Sequence, residues 1–282
     1  MNCYLCSAND FIKRKGQVRD NPDLKILECN CCGLVMLNSN EHIHPEHYEQ
    51  SGMHGDEPIS IDSWLHETAW DDERRFDMLK TMLPNKKVLD FGCGNGGFLY
   101  LAKNLAQDVT GVELEQRISE YWKGKQTVLP NLQSAHRDYD LITAFHVIEH
   151  LTDPKKILKE MSECLSENGQ IVVEVPSSED ALLTLFNCDS FQHFTYWSQH
   201  IFLFNEQTLR SLAKKSGLKV ISIEQYQRYP LSNHLYWLSQ GKPGGHNKWV
   251  FLNSSLLQDS YSAALAKIGK CDTIVGYFEK EN

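Results

Sequence analysis

From residue 61 to residue 83 apolar side chains recur at helical intervals. Trp64, Leu65, Thr68, Phe76, Leu79 and Leu83 mark the stripe, with acidic and basic residues between them. Pro84-Asn85 stops the run. The period then changes. Residues 88–91 (VLDF) read as a short buried strand, followed by Gly92, Gly94, Gly96 and Gly97 and then by the helix-like run Phe98, Leu99, Leu101, Ala102. About twenty residues after that turn, VTGVELEQ (109–116) reads as a second strand ending in the acid Glu113. Strand, glycine turn, helix, strand and acid in this order predict a βαβ unit that brings a cofactor close to backbone, with Glu113 placed to accept hydrogen bonds from ribose hydroxyls.

Composition narrows the class. The chain has 282 residues, 41% of them hydrophobic and 10% aromatic, which suits a folded core and excludes a disordered chain. No apolar run approaches the ~20 residues of a membrane span, and MNCYLCSAND has no basic-then-apolar leader pattern. The expectation is a cytoplasmic protein without membrane partners. A net charge of −9 disfavours a broad nucleic-acid footprint.

Nine cysteines in a reducing compartment argue against a disulfide framework. Cys3 and Cys6 form one Cys-x-x-Cys pair and Cys29 and Cys32 a second, with Gly33 where a knuckle needs a residue without a Cβ. Two such turns supply four thiolates at tetrahedral geometry, so a structural zinc is expected in a small N-terminal module over 1–45. The four-ligand set leaves no open position for catalysis, and Cys31 is a spare thiol. The histidines that follow (His42, His44, His47, His54) fit no compact metal site. The stretch 41–55 that carries them reads as a polar connector leaving the module; a connector and helical lid span 46–83, in which Tyr48, Met53 and His54 are candidates to reach over the active site.

Which nucleotide the glycine turn serves follows from its spacing. Gly92-x-Gly94-x-Gly96 is not the dinucleotide G-x-G-x-x-G, and no Gly-Lys-Ser/Thr phosphate loop is present. Asp90 would repel a pyrophosphate but suits a ligand with a positive centre, such as S-adenosylmethionine (SAM). DFGCGNG resembles motif I of class I SAM-dependent methyltransferases. GVELE resembles their second motif and YDLITAFHVIEHLTDP (139–154) their fourth-strand motif. The resemblance implies an α/β fold: a Rossmann-like seven-stranded sheet with helices on both faces over 84–282. Thr127–Leu129, Leu141–Phe145, Gln170–Val175, residues 218–226 and residues 271–280 are the remaining strand candidates. Residues 227–270 would be a helical insertion over the substrate pocket. It further implies that Gly92, Cys93 and Gly94 approach the methionine part of SAM, that Asp90 holds its ammonium, that Glu113 binds the ribose, that Leu114 touches the adenine, and that Phe145 and His146 lie beneath the methyl. The family's acid at the adenine edge is missing here, with Asn131 in its place.

Methyl transfer from SAM asks for a positioned nucleophile and often a base, and His suits that task. His146, His193 and His200 are the candidates. His150, four residues after His146, reads as packing against the sheet. Tyr196, Trp197, Tyr226, Arg228, Tyr229 and His234 are candidate wall residues. A four-cysteine module before such a core resembles methyltransferases of sugars and other small metabolites. The deoxysugar C-methyltransferases among them carry a Tyr/Glu/His set where this chain aligns Ser190, Gln192 and His193, which points to O-methylation of a sugar or similar polar small molecule. The rival readings are a sugar C-methyltransferase, an RNA methyltransferase whose zinc module grips RNA, and a binding module that has kept the fold. The module is also a candidate surface for a homodimer.

Overall fold

The computed structural model describes residues 1–43 and 59–281. His44, His47, Tyr48, Met53 and His54 therefore lie outside the described residues.

The N-terminal segment forms three short strands, β1 (Phe11–Lys13), β2 (Ile26–Cys29) and β3 (Val35–Leu37), paired antiparallel in that order. Gly33, at φ +77°, makes the turn between β2 and β3 and donates its N–H to the Cys29 carbonyl at 2.8 Å. The long helix α1 (Ile61–Leu79) begins at Ser60, whose hydroxyl accepts from the Ser63 N–H. It ends four residues short of the expected Leu83, which is buried in the turn that follows. Its buried face differs from the expected stripe: Asp71, Asp72 and Arg74 are buried beside Ile61 and Leu79. Charged groups are buried only where partners meet them, and the partners here belong to the site below.

The second half alternates strand and helix: β4 (Lys87–Phe91), α2 (Gly97–Ala102), β5 (Asp108–Val112), α3 (Gln116–Trp122), β6 (Thr127–Leu129), β7 (Tyr139–Phe145), α4 (Pro154–Cys164) and β8 (Leu165–Pro176). Two short helical turns follow, α5 (Ala181–Thr184) and α6 (Asp189–Gln192), then β9 (Phe202–Leu203), α7 (Glu206–Lys215) and β10 (Leu218–Tyr226). The expected insertion supplies α8 (Leu231–Gln240), α9 (Gly245–Lys248) and α10 (Ser255–Lys267) before β11 (Thr273–Lys280). The main sheet has seven strands in the order β10-β11-β8-β7-β4-β5-β6, with β11 antiparallel to both its neighbours and the other pairings parallel. The order reverses at β4, so the ends of β4 and β7 open a crevice where ligands bind in such sheets. Strands buried on both faces read as apolar runs, and Leu141, Ile142, Ala144, Ile171, Val172 and Val173 are at most 1% exposed.

The N-terminal segment is not a free appendage. β9, which follows the fifth strand of the main sheet, pairs antiparallel with β3 through Val35↔Leu203 and Met36↔Phe202. Cys3, Leu5, Cys29 and Leu34 share one apolar cluster with Ile201, Phe202 and Phe204. The Tyr4 hydroxyl donates to Asp153 at the start of α4, and the Lys155 ammonium sits 4.4 Å from the Tyr4 ring. Among the described residues no helix is long and apolar enough to cross a membrane.

Candidate active site

A cleft of about 630 Å³ opens at the C-terminal ends of β4, β5 and β7. Its floor is the glycine turn. Gly92 has φ +68°, and a Cβ there would stand 2.5 Å from Val147 Cγ2, so no other residue fits without moving the turn that follows β7. The Gly92 and Cys93 N–H groups both donate to the Val112 carbonyl, at 2.8 and 3.1 Å, tying the turn to the end of β5. Trp64 of α1 stands over Gly94. Helix α1 thus forms one wall, with Thr68, Asp72 and Arg75 also facing the cleft.

Three acids frame one end of the cleft. Asp90 is 3% exposed and accepts from the Thr143 hydroxyl of the neighbouring strand at 2.6 Å. Burial pushes its carboxyl up to about 7. Glu113 accepts from the N–H of Gly94 on one oxygen (2.9 Å) and from those of Leu114 (2.7 Å) and Glu115 (3.2 Å) on the other. Burial raises it to about 7 against those hydrogen bonds. Asp72 accepts from Thr68 at 2.9 Å and is raised by burial to about 6. Buried acids around a turn that no side chain can fill, one held by backbone N–H groups and two by threonine hydroxyls, fit a ligand that carries ribose hydroxyls and a cationic amine. Leu114 and Asn131 line the far end, where the Asn131 side-chain oxygen is used locally, accepting from the Ser134 N–H at 3.1 Å. Phe145 packs edge-on against Phe98 with centroids 5.0 Å apart and carries the Arg75 guanidinium 4.8 Å above its ring.

Behind the other end of the cleft lies Glu174, a fully buried acid near the C-terminal end of β8. Arg74 donates to its two oxygens at 2.8 and 2.9 Å, and Arg75 donates to one of them at 3.0 Å. His146 Nε2 lies 3.1 Å from the same carboxylate. Burial alone would raise Glu174; His146 and the guanidiniums hold it well below the usual carboxylate range. His146 adopts φ +55° and its Nδ1 lies 3.2 Å from Glu149 Oε1, so both ring nitrogens face carboxylates. Burial would lower its pKa, but the two acids hold it above the ordinary histidine value. His150 and His200 stack edge to face at 4.8 Å between centroids, and burial lowers both, His200 to about 3. They are neutral imidazoles in the cleft wall, next to Trp197 and Arg228. Arg228, from the insertion, donates through Nε to Asp71 of α1 at 2.8 Å.

The expected cofactor residues Asp90, Gly92, Cys93, Gly94, Glu113, Leu114, Asn131 and Phe145 all line this one cleft, as do His146 and His200. His193 does not. Its side chain is 47% exposed and its Nδ1 caps α6 at the Asp189 carbonyl, 2.8 Å away. Ser190 and Gln192 are also absent from the wall, and Gln192 turns inward to donate to the Leu183 carbonyl at 3.1 Å. Of the expected wall residues, Trp197 and Arg228 reach the cleft. Tyr196 is buried under the N-terminal sheet, Tyr226 stacks on Arg74, and His234 bonds Tyr261 at 2.7 Å. Of the inserted segment only Arg228 faces the cleft among the described residues. Sequence reasoning missed Asp72, Arg75, Glu149 and Glu174. A charge inside the apolar run IVVEVP was the available signal for Glu174, and the adjacent acid in HVIEH for Glu149.

Apart from the cleft, the sulfurs of Cys3, Cys6, Cys29 and Cys32 lie within 4.8 Å of one another. Cys3–Cys32 and Cys6–Cys29 are each 3.5 Å apart. That is far beyond a disulfide bond and near the ~3.8 Å expected between thiolates on a tetrahedral zinc with 2.3 Å bonds.

A family profile described as a methyltransferase domain matches residues 64–223, more than half of the chain. Curated relatives include a tRNA U34 carboxymethyltransferase of Campylobacter hominis, 28% identical over 42% of this chain and 46% of its own length. A ubiquinone biosynthesis O-methyltransferase of Idiomarina loihiensis is 29% identical over 41% of this chain and 58% of its own. The chain thus spans about half the length of these relatives. Among solved structures, a SAM-dependent methyltransferase from Archaeoglobus fulgidus superposes with a TM-score of 0.52 at 19% identity, covering 77% of this chain and 99% of that one. A Burkholderia thailandensis 1,6-didemethyltoxoflavin-N1-methyltransferase with bound S-adenosylhomocysteine superposes at 0.51 and 12% identity, covering 95% and 100%.

Proposed function

From the premise that this chain belongs to the methyltransferase-domain family and is a SAM-dependent methyltransferase, we propose that its acceptor is a hydroxyl oxygen of a small polar molecule. The observation that carries this reading is the acceptor end of the cleft. Neutral imidazoles of His150 and His200, the indole of Trp197 and the guanidinium of Arg228 line one space beside the tip of β7, with the buried carboxylate of Glu149 behind the two imidazoles. The volume falls in the ~300–1,000 Å³ range of small-molecule sites.

SAM, when bound, supplies an activated methyl group. The residues must position the acceptor in line with it and take the proton that a hydroxyl loses. Asp90, Glu113 and the glycine turn would hold the cofactor. Burial keeps the His150 and His200 imidazoles neutral, the form in which an imidazole can accept a proton or hold a metal ion. His146, with a carboxylate on each ring nitrogen, orients Glu149 and Glu174 rather than acting as a free base. The residues aligned with the C-methyltransferase acid–base set lie off the cleft, which favours oxygen over carbon. A relative named an O-methyltransferase supports the same atom.

A sugar or nucleotide sugar is the narrower acceptor we propose. It rests only on the resemblance of a four-cysteine module joined to this core, since neither relative's name speaks of a sugar. Zinc in the module rests on the sulfur spacing, as a structural ion that braces β1–β3 against β9. The second reading, methylation of RNA, is favoured by the relative named a tRNA U34 carboxymethyltransferase and opposed by the net charge of −9. Incubating the enzyme and methyl-labelled SAM with a cell extract separated into RNA, protein and small-molecule pools tests both. Label in small molecules is expected, and label confined to RNA would overturn the proposal.

A further inference from the structure

We propose that Glu149, His150 and His200 form a binding site for a divalent transition-metal ion at the acceptor end of the cleft, separate from the four cysteines. One ligand atom from each of the three lies within 4.8 Å of the other two. An ion at the centre of such a triangle stands ~2.8 Å from each corner, so inward shifts of well under 1 Å reach the 2.0–2.2 Å of metal–nitrogen and metal–oxygen bonds. Two segments supply the donors, the turn after β7 (Ile148–His150) and the loop before β9. Each is anchored: the His150 N–H donates to the Val147 carbonyl at 3.0 Å and the His200 N–H to the Trp197 carbonyl at 3.0 Å.

A second observation points the same way. Glu149 Oε1 is engaged by His146, yet its Oε2 is buried with no hydrogen-bond partner, and so is His200 Nδ1. A buried carboxylate oxygen without a partner is costly and calls for a ligand. His146 stands to Glu149 as an outer partner that fixes a ligating carboxylate, and is itself fixed by Glu174. Two imidazoles and one carboxylate suit Zn²⁺, Mn²⁺ or Fe²⁺; Mg²⁺ and Ca²⁺ prefer all-oxygen shells. Three protein ligands leave a position open toward the cleft, the arrangement of catalytic rather than structural sites.

The role of the site rests on the hydroxyl-acceptor reading above. The acceptor oxygen would take the open position and lose its proton to solvent, so the imidazoles serve as ligands instead of as the base. The oxygen–methyl bond forms as the sulfur–methyl bond breaks, and S-adenosylhomocysteine leaves.

The test is a Co²⁺ titration of the full, chelator-stripped chain, followed by absorption. One equivalent with intense thiolate charge-transfer bands is expected from the cysteines. A second, with only weak d–d bands, is expected from the histidine–carboxylate site. Glu149→Gln and His200→Asn should each lose the second equivalent, while the thiolate bands and S-adenosylhomocysteine binding report an intact fold. Saturation at one equivalent of thiolate type, or a second equivalent that survives in both variants, would overturn the proposal. The stoichiometry is independent of which acceptor is methylated, so failure to find label in small molecules leaves this result standing.

Discussion

Replacing Glu113 by Gln isolates what the acid at the tip of β5 does. The two side chains have the same shape, so packing is preserved. Both carboxylate oxygens face backbone donors: Gly94 N–H on one side, and Leu114 and Glu115 N–H on the other. An amide has one acceptor oxygen and one NH2, so either orientation sets an NH2 against a backbone N–H. A carboxylate offers about four acceptor positions, and three are taken, leaving one for a ribose hydroxyl. Losing a charge-assisted hydrogen bond of that kind removes about 1.5–3 kcal/mol, which weakens cofactor binding roughly ten- to a hundred-fold. Stability of the free protein is a poorer readout. The substitution disturbs the turn, but it also removes a carboxyl that burial has pushed to about 7 and whose ionised form is disfavoured there. Calorimetric titration with S-adenosylhomocysteine, alongside thermal unfolding of the free protein, separates the two effects. A Kd within twofold of the native value would refute the reasoning, most clearly if Tm also fell, because Glu113 would then be a brace for the glycine turn and nothing more.

The pH dependence has a definite sign. Burial raises Asp90 and Glu113 to about 7 and Asp72 to about 6, so their contribution to stability is present below the ordinary carboxylate range and is lost as pH rises through 6 to 7. A ligand with an ammonium group favours the ionised acids, so the Tm gain from S-adenosylhomocysteine should be larger at pH 8 than at pH 5.5; thermal unfolding with and without ligand checks this, and an equal gain would count against the acids. Arg228→Ala leaves Asp71 short of a partially buried partner and should cost about 3 kcal/mol in urea unfolding. Combined with Asp71→Asn it should be clearly less than additive.

The fold was legible because backbone rules govern it. The glycine turn, the acid after the second strand and the apolar runs at 88–91, 141–145 and 170–175 each have few alternative structures, and the seven-stranded sheet carries them at those places. The cofactor end was legible for the same reason: Asp90, Gly92, Gly94 and Glu113 are placed by strand ends and a turn. The acceptor end was legible only in part: His146, Trp197, His200 and Arg228 were named and line the cleft, but the charged residues behind them are set by packing between distant segments. Arg74 and Arg75 follow a helical period that gives no hint that they turn inward to Glu174, 100 and 99 residues away. His193 and His200 look alike in the chain, yet one caps a surface turn and the other is drawn inside. The difference lies in β9, two residues long, whose pairing with Val35 and Met36 pulls the loop before it over the cleft. That pairing gives the N-terminal module a role no composition could show. By holding β9 it holds His200 beside Glu149 and His150, so an ion bound by the four cysteines would act on the acceptor pocket through a strand rather than through contact with the substrate.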